Sequence, residues 1–199
     1  MSAVLLTRLK IADLAAWTAL DAGRRLLPEG HALQRIVREE VYLFEPEAGR
    51  AADGFEGALS RAIESSNFFV NPNKEQYRFL TAKARGDALV GPEGAWGILT
   101  RARDETRDDG LLRRLVTEHP LQGLGSVRRA KIWWLWTSST GGNAAVKTIY
   151  NALGPVVARR RGLLVNPHAE ADMKLEGEVP WSVVERFLTL PPPAIGAAA

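Results

Sequence analysis

Val127-Arg128-Arg129-Ala130-Lys131-Ile132-Trp133-Trp134-Leu135 interleaves basic residues with β-branched and aromatic ones, a composition that suits a pleated, buried strand. Val37-Arg38-Glu39-Glu40-Val41-Tyr42-Leu43 echoes it 90 residues earlier. Two further anchors recur in the same order. Val4–Lys10 (VLLTRLK) returns 93 residues later as Gly97–Arg103 (GILTRAR), and Phe68-Phe69-Val70-Asn71-Pro72 returns 95 residues later as Leu163-Leu164-Val165-Asn166-Pro167. A repeat of this length is one small domain duplicated rather than a solenoid unit. Trp133, Trp134 and Trp136 cannot all point to one side of a strand, so both faces of that strand are expected to be covered.

Working outward from the anchors, the first half reads as a strand at Val4–Leu9 and a helix at about 12–27, with Ile11, Ala15, Ala19, Ala22 and Leu26 as its apolar stripe. Pro28-Glu29-Gly30 stops that helix. A long strand spans Leu33–Glu45, and Pro46–Gly54 is a loop. Phe55, Ala58, Leu59, Ala62 and Ile63 mark a second helix by their i, i+3, i+4, i+7, i+8 spacing. Pro72 ends it, and Gln76–Thr81 is a last strand. The second half repeats the order: strand 95–102, charged helix 104–118, strand 126–137, loop 138–143, a helix from Val146 to about Leu164, and strand 171–177. The fold class expected is α+β. Two tandem β-α-β-α-β ferredoxin-like units occupy residues 1–84 and 95–179, with a linker at 85–94. Residues 180–199 add a C-terminal helix, with Trp181, Val184 and Phe187 inward, and a disordered tail. A three-stranded sheet with two helices on one face needs a partner for the other. The long apolar strands therefore suggest two units packed sheet to sheet, as a covalent pseudo-dimer.

With 46% hydrophobic and 25% charged residues the chain has the balance of a soluble globular protein. It has no apolar run of 18 residues and no basic-then-apolar N-terminus, so neither a membrane span nor a signal peptide is expected, and the expected location is cytoplasmic. The absence of cysteine excludes disulfides, thiolate metal sites and cysteine nucleophiles. A net charge of +3 is spread over 26 basic and 23 acidic residues. Nucleic-acid binding needs a concentrated basic stripe, so none is expected. An RNA-binding sheet would need exposed aromatics beside basic residues, and Trp133 with Arg128 is the one candidate pair.

No residue pattern announces catalysis. Ser138-Ser139-Thr140-Gly141-Gly142-Asn143 precedes a helix and could hold a ligand or partner on backbone N–H groups, although it lacks the spacing and lysine of a P-loop. His168, Glu170 and Asp172 alternate as metal ligands on a strand face would, but a solvated turn explains them more simply. Asp104, Glu105, Asp108 and Asp109 complement a helix dipole. Arg159-Arg160-Arg161 reads as a solvated helix end, and Asn71-Pro72 and Asn166-Pro167 as helix stops. No catalytic residue, metal or cofactor is expected.

Taken in order, the anchors resemble the PurS subunit family of phosphoribosylformylglycinamidine synthase. Its members run β-α-β-α-β, with a V-R-x-G-K-type second strand and an L-L-x-N-P close to the second helix. Val127, Arg128 and Lys131 are similar to the strand pattern, with Ala130 where glycine is usual, and Val37 with Arg38 is a weaker version. Asn166 with Pro167, and Asn71 with Pro72, match the second pattern. The resemblance implies a non-catalytic accessory subunit in de novo purine biosynthesis. Its partners would be the synthetase and glutaminase subunits of an ATP-dependent amidation complex. The alternatives are a small-molecule sensor with a ligand between the repeats, or a repurposed interaction scaffold.

Overall fold

The computed structural model describes residues 2–47, 52–65, 69–81, 83–104, 108–119, 121, 123–138, 147–149, 151, 163–166 and 168–191. The first half supplies strands Ala3–Leu9 (β1), Leu33–Pro46 (β2) and Glu75–Leu80 (β3), with helices Leu14–Leu26 (α1) and Ala52–Ser65 (α2) between them. A short strand, Ala88–Val90 (β4), leads into Trp96–Ala102 (β5), helix Asp109–Glu118 (α3), Leu124–Thr137 (β6) and Glu170–Leu175 (β7). Glu178–Pro180 (β8) and Trp181–Thr189 (α4) follow. The class is α+β, with one six-stranded antiparallel sheet in the order β3-β1-β2-β6-β5-β7.

That order corrects the expectation of two sheets packed face to face. The two long strands meet edge to edge, from Leu33↔Thr137 to Pro46↔Leu124. Joining along unpaired edges satisfies the backbone groups of both strands and removes two exposed edges at once, and it leaves both halves in one surface where they cannot face each other. The uncovered face is closed by segments read as linker and as C-terminal helix. β4 pairs with β8, so residues 85–94 hold a strand and are not merely a linker. Leu89 of β4 packs with Trp181, Val184 and Leu188 of α4 over Val4, Leu6, Val41, Leu43, Ile132 and Trp134.

The other, helical face carries two apolar cores. In one, Phe55, Leu59 and Ile63 of α2 meet Leu115 of α3 over Leu5, Phe44 and Val127. In the second, Ala16 and Ala19 of α1 lie over Ile36, Ile98, Trp133 and Leu135. Both cores draw on strands from each half. The buried stripe of α1 is Ala16, Ala19 and Gly23; Ile11 and Leu26 of the expected stripe are 55% and 72% exposed. Small side chains let this helix sit close, and Gly30 is required where the chain turns back, because a Cβ there would clash with the carbonyls of Gly23 and Arg24. Trp133 and Trp134 are buried on opposite faces, as their spacing requires.

Register refines the repeat. Thr7 pairs with Glu40, Thr100 pairs with Lys131, and Glu40 and Lys131 pair with each other. Since Thr7 and Thr100 are equivalent in the echoed LTR triplets, Glu40 and Lys131 are equivalent too, at an offset of 91 rather than 90. A slip of one residue reverses faces. Val127 therefore lies in the helical-face core while Val37 packs toward the opposite face, and the two are not counterparts.

Candidate functional site

On the helical face, Tyr77, Thr7, Glu40, Lys131, Thr100 and Asp172 lie side by side across all six strands. This polar row separates the two apolar cores at the centre of the sheet. Flanking it is one constellation built twice. Asp13 caps α1 by accepting from the N–H groups of Ala15 (3.0 Å) and Ala16 (3.3 Å), and it pairs with Arg38 at 3.1 Å. Asp108 caps α3 by accepting from the N–H of Leu111 (2.9 Å), and it pairs with Arg129 at 3.5 Å. Arg38 then lies over the ring of Trp133, its cross-strand neighbour, at 5.9 Å; Arg129 lies over Tyr42, its own cross-strand neighbour, at 5.5 Å. Each cap thus orients a guanidinium from its own half onto an aromatic ring of the other.

The symmetry fails at the axis itself, where equivalent positions carry Glu40 and Lys131. Glu40 has Arg38 at 3.9 Å. A cleft of about 270 Å³ opens on the second-half side, lined by Glu40, Thr100, Asp108, Arg129, Lys131 and Glu170. Burial pushes the Tyr42 phenol above its ordinary range, with Arg129 opposing the shift.

Burial also raises the carboxyl of Asp172, partly opposed by a backbone hydrogen bond and by Lys174 and Arg103. A raised folded-state pKa means that the favourable contribution of this group is complete below the unfolded carboxylate range. It is lost as pH rises through the folded value. Asp172→Asn, which cannot ionise, is therefore expected to melt above the parent at pH 7, with the gap closing toward pH 3. Melting curves across that range check it, and an Asn variant less stable at pH 7 refutes it.

The residues singled out from sequence are dispersed. Arg128 lies on the face opposite Arg129 and donates from Nε to Glu45 at 2.9 Å. Trp133 is buried on the helical face, so the pair proposed for an RNA-binding sheet does not share a surface. Lys131 alone of the strand motif reaches the central row. Asn71 and Asn166 organise identical turns: the N–H of Asn71 donates to Glu75 Oε2 (2.7 Å) and that of Asn166 to Glu170 Oε2 (2.9 Å). Their side-chain oxygens accept from the N–H groups of Asn73 (3.1 Å) and His168 (3.2 Å). Their carbonyls accept from Glu75 and Glu170, both at 2.7 Å. These are Asx turns entering β3 and β7; α2 has already ended at Ser65, so Asn71 is not its stop. The Pro72 carbonyl accepts from Lys10 Nζ at 2.8 Å. Pro167, Arg159–Arg161, Glu105 and the loop residues Ser139, Thr140, Gly141, Gly142 and Asn143 lie outside the described residues. Ser138 donates its N–H to Ala32 O at 2.8 Å. Among the described residues no three His, Asp or Glu side chains come together as a metal site, and no helix is long and apolar enough to cross a membrane.

Sequence reasoning passed over Thr7, Thr100, Glu40 and Arg129. The signal was present in the LTR triplets, which keep threonine at one position in both halves, but only register shows that these threonines flank the axis. On the opposite face it also passed over Arg101, which is 4% exposed. Its guanidinium donates to the carbonyls of Phe187 (2.7 Å), Leu190 and Ala102 (3.1 Å) and so closes the C-terminus of α4.

No family model, curated protein or solved structure matches this chain.

Proposed function

We propose that the chain is a non-catalytic accessory subunit resembling PurS, two ferredoxin-like β-α-β-α-β units fused as a pseudo-dimer. It would organise the synthetase and glutaminase components of a phosphoribosylformylglycinamidine synthase assembly. The observation that carries the reading is the duplicated Asn turn, three matching hydrogen bonds at Asn71 and at Asn166. A strand order symmetric about β2 and β6 supports it. Scaffolding also needs a surface for partners. Ile11, Leu14 and Trp17, at the corner where β1 passes into α1, are 55%, 71% and 68% exposed. Grouped large apolar side chains on a surface mark contact sites more often than lone ones do, and an exposed tryptophan is a frequent anchor of such contacts.

The test is affinity capture of the tagged full chain from its native host, with bound proteins identified by mass spectrometry. The expected result is stoichiometric recovery of a synthetase and a glutaminase subunit, sharply reduced by Trp17→Glu. A chain that elutes alone refutes the reading.

A further inference from the structure

We propose that the cleft beside the pseudo-symmetry axis binds a small metabolite through an oxyanion, phosphate or carboxylate, held by Lys131, Thr100 and Arg129. This goes beyond a scaffolding role and does not depend on it. The cleft has about 270 Å³ of space, just under the usual range for small-molecule sites, which suits a compact anion-bearing ligand.

Three features point to that chemistry. First, the Lys131 ammonium has neither a hydrogen-bond nor an ion-pair partner among the described residues, although Glu40 is its cross-strand neighbour. Second, Thr100 is 1% exposed and its hydroxyl has no partner among the described residues. A buried hydroxyl left unpaired is costly, and in a native structure it calls for an explanation. Thr100 stands directly opposite Lys131 on the same face of the sheet, so rotation about its χ1 would aim the hydroxyl at an acceptor seated against the ammonium. Third, the acids lining the cleft are mostly committed elsewhere. Asp108 caps α3 and pairs with Arg129, and Glu170 accepts from the N–H of Asn166. Glu40 has only the 3.9 Å approach of Arg38. It remains available to accept a hydrogen bond from the rest of the ligand and disfavours a dianion placed on its side.

The equivalent position in the first half does not offer the same donors. There Thr7 stands opposite Glu40 instead of a lysine. The exchange of lysine for glutamate between equivalent positions therefore gives one oxyanion site per chain, where a symmetric dimer of either half would have two or none.

The experiment is thermal unfolding of the full chain titrated with inorganic phosphate and, separately, with acetate, at ionic strength held constant with chloride. The parent is expected to show a saturable rise in melting temperature with at least one of the two, and the stronger responder identifies which oxyanion the site takes. Lys131→Met and Thr100→Val are each expected to raise the apparent Kd at least tenfold, while Arg25→Gln, an equal charge change at an exposed pair on α1, leaves it unchanged. Without added anion Thr100→Val is expected to melt no lower than the parent, because an unpaired hydroxyl has been replaced by a methyl group. A parent that responds to neither anion overturns the proposal. So does an undiminished response in Thr100→Val, or a loss of stability in that variant without ligand, which would show the hydroxyl to be already bonded.

Discussion

Trp134→Ala is expected to lower the stability of the chain by about 3–5 kcal/mol, the usual cost of deleting a large core aromatic. For a chain of this size that is on the order of 10 °C in melting temperature. Trp134 is 2% exposed at the centre of the face closed by α4. Its ring is held where two glycines leave room: a Cβ on Gly91 or Gly97 would come within 2.5 or 2.7 Å of it. Its Nε1 donates to Glu39 Oε2 at 2.8 Å, and Glu39 is itself 4% exposed, with Arg78 at 3.6 Å as its other partner. Removing the indole would open a cavity and strip a buried carboxylate of its donor in one step. Trp134→Phe separates the two effects, since it keeps most of the packing and is expected to cost about 1–3 kcal/mol for the hydrogen bond lost to a buried carboxylate. Trp17→Ala, at a 68% exposed position, should stay within about 0.5 kcal/mol of the parent. Chemical denaturation of the three variants checks the ranking; equal losses for Trp134→Ala and Trp17→Ala would falsify it.

Dividing the chain after residue 84 is expected to have a still larger effect, leaving fragment 1–84 without a cooperative fold. Alone it would expose the whole edge of β2, which in the intact chain pairs from Leu33 to Pro46. Its helices would lose Leu115, Val127, Trp133 and Leu135 from cores they share with the second half. Pairing with a second copy of itself would set Glu40 against Glu40 on the axis, and like charges directly opposite each other disfavour a strand pair. Lys131 removes that conflict, so fragment 85–199 should restore structure where excess 1–84 does not. Circular dichroism and amide dispersion of the separate and mixed fragments decide the matter. A monomeric 1–84 that unfolds cooperatively would show that the cores are not shared as described.

Much of the local structure was legible along the chain. Apolar spacing located the six longer of the eight strands among the described residues, and both helices of the first half, to within a few residues, because a β-branched run and an i, i+3, i+4 stripe declare themselves within one element. Placement of α1 was less exact. Its buried side is alanine and glycine, so the larger Ile11 and Leu26 drew the expected stripe to the wrong face. β4 was missed because a three-residue strand has no periodicity of its own, and its pairing with β8 lies in residues distant in sequence.

The sequence by itself showed that the same short motifs recur in the same order in the two halves of the chain. Repeated triplets, Asn-Pro pairs and strand patterns are local, and local hydrogen bonding makes the same turn wherever the same residues recur. Only the tertiary structure decided how the two halves meet. An unpaired strand edge and an apolar sheet face both call for cover, and periodicity cannot say which the partner copy will supply. Here the edges joined, α4 and β4 took the face, and the register placed Glu40 against Lys131. That register is set by long-range pairing, and it turns two ordinary positions in a strand into the axis of the molecule.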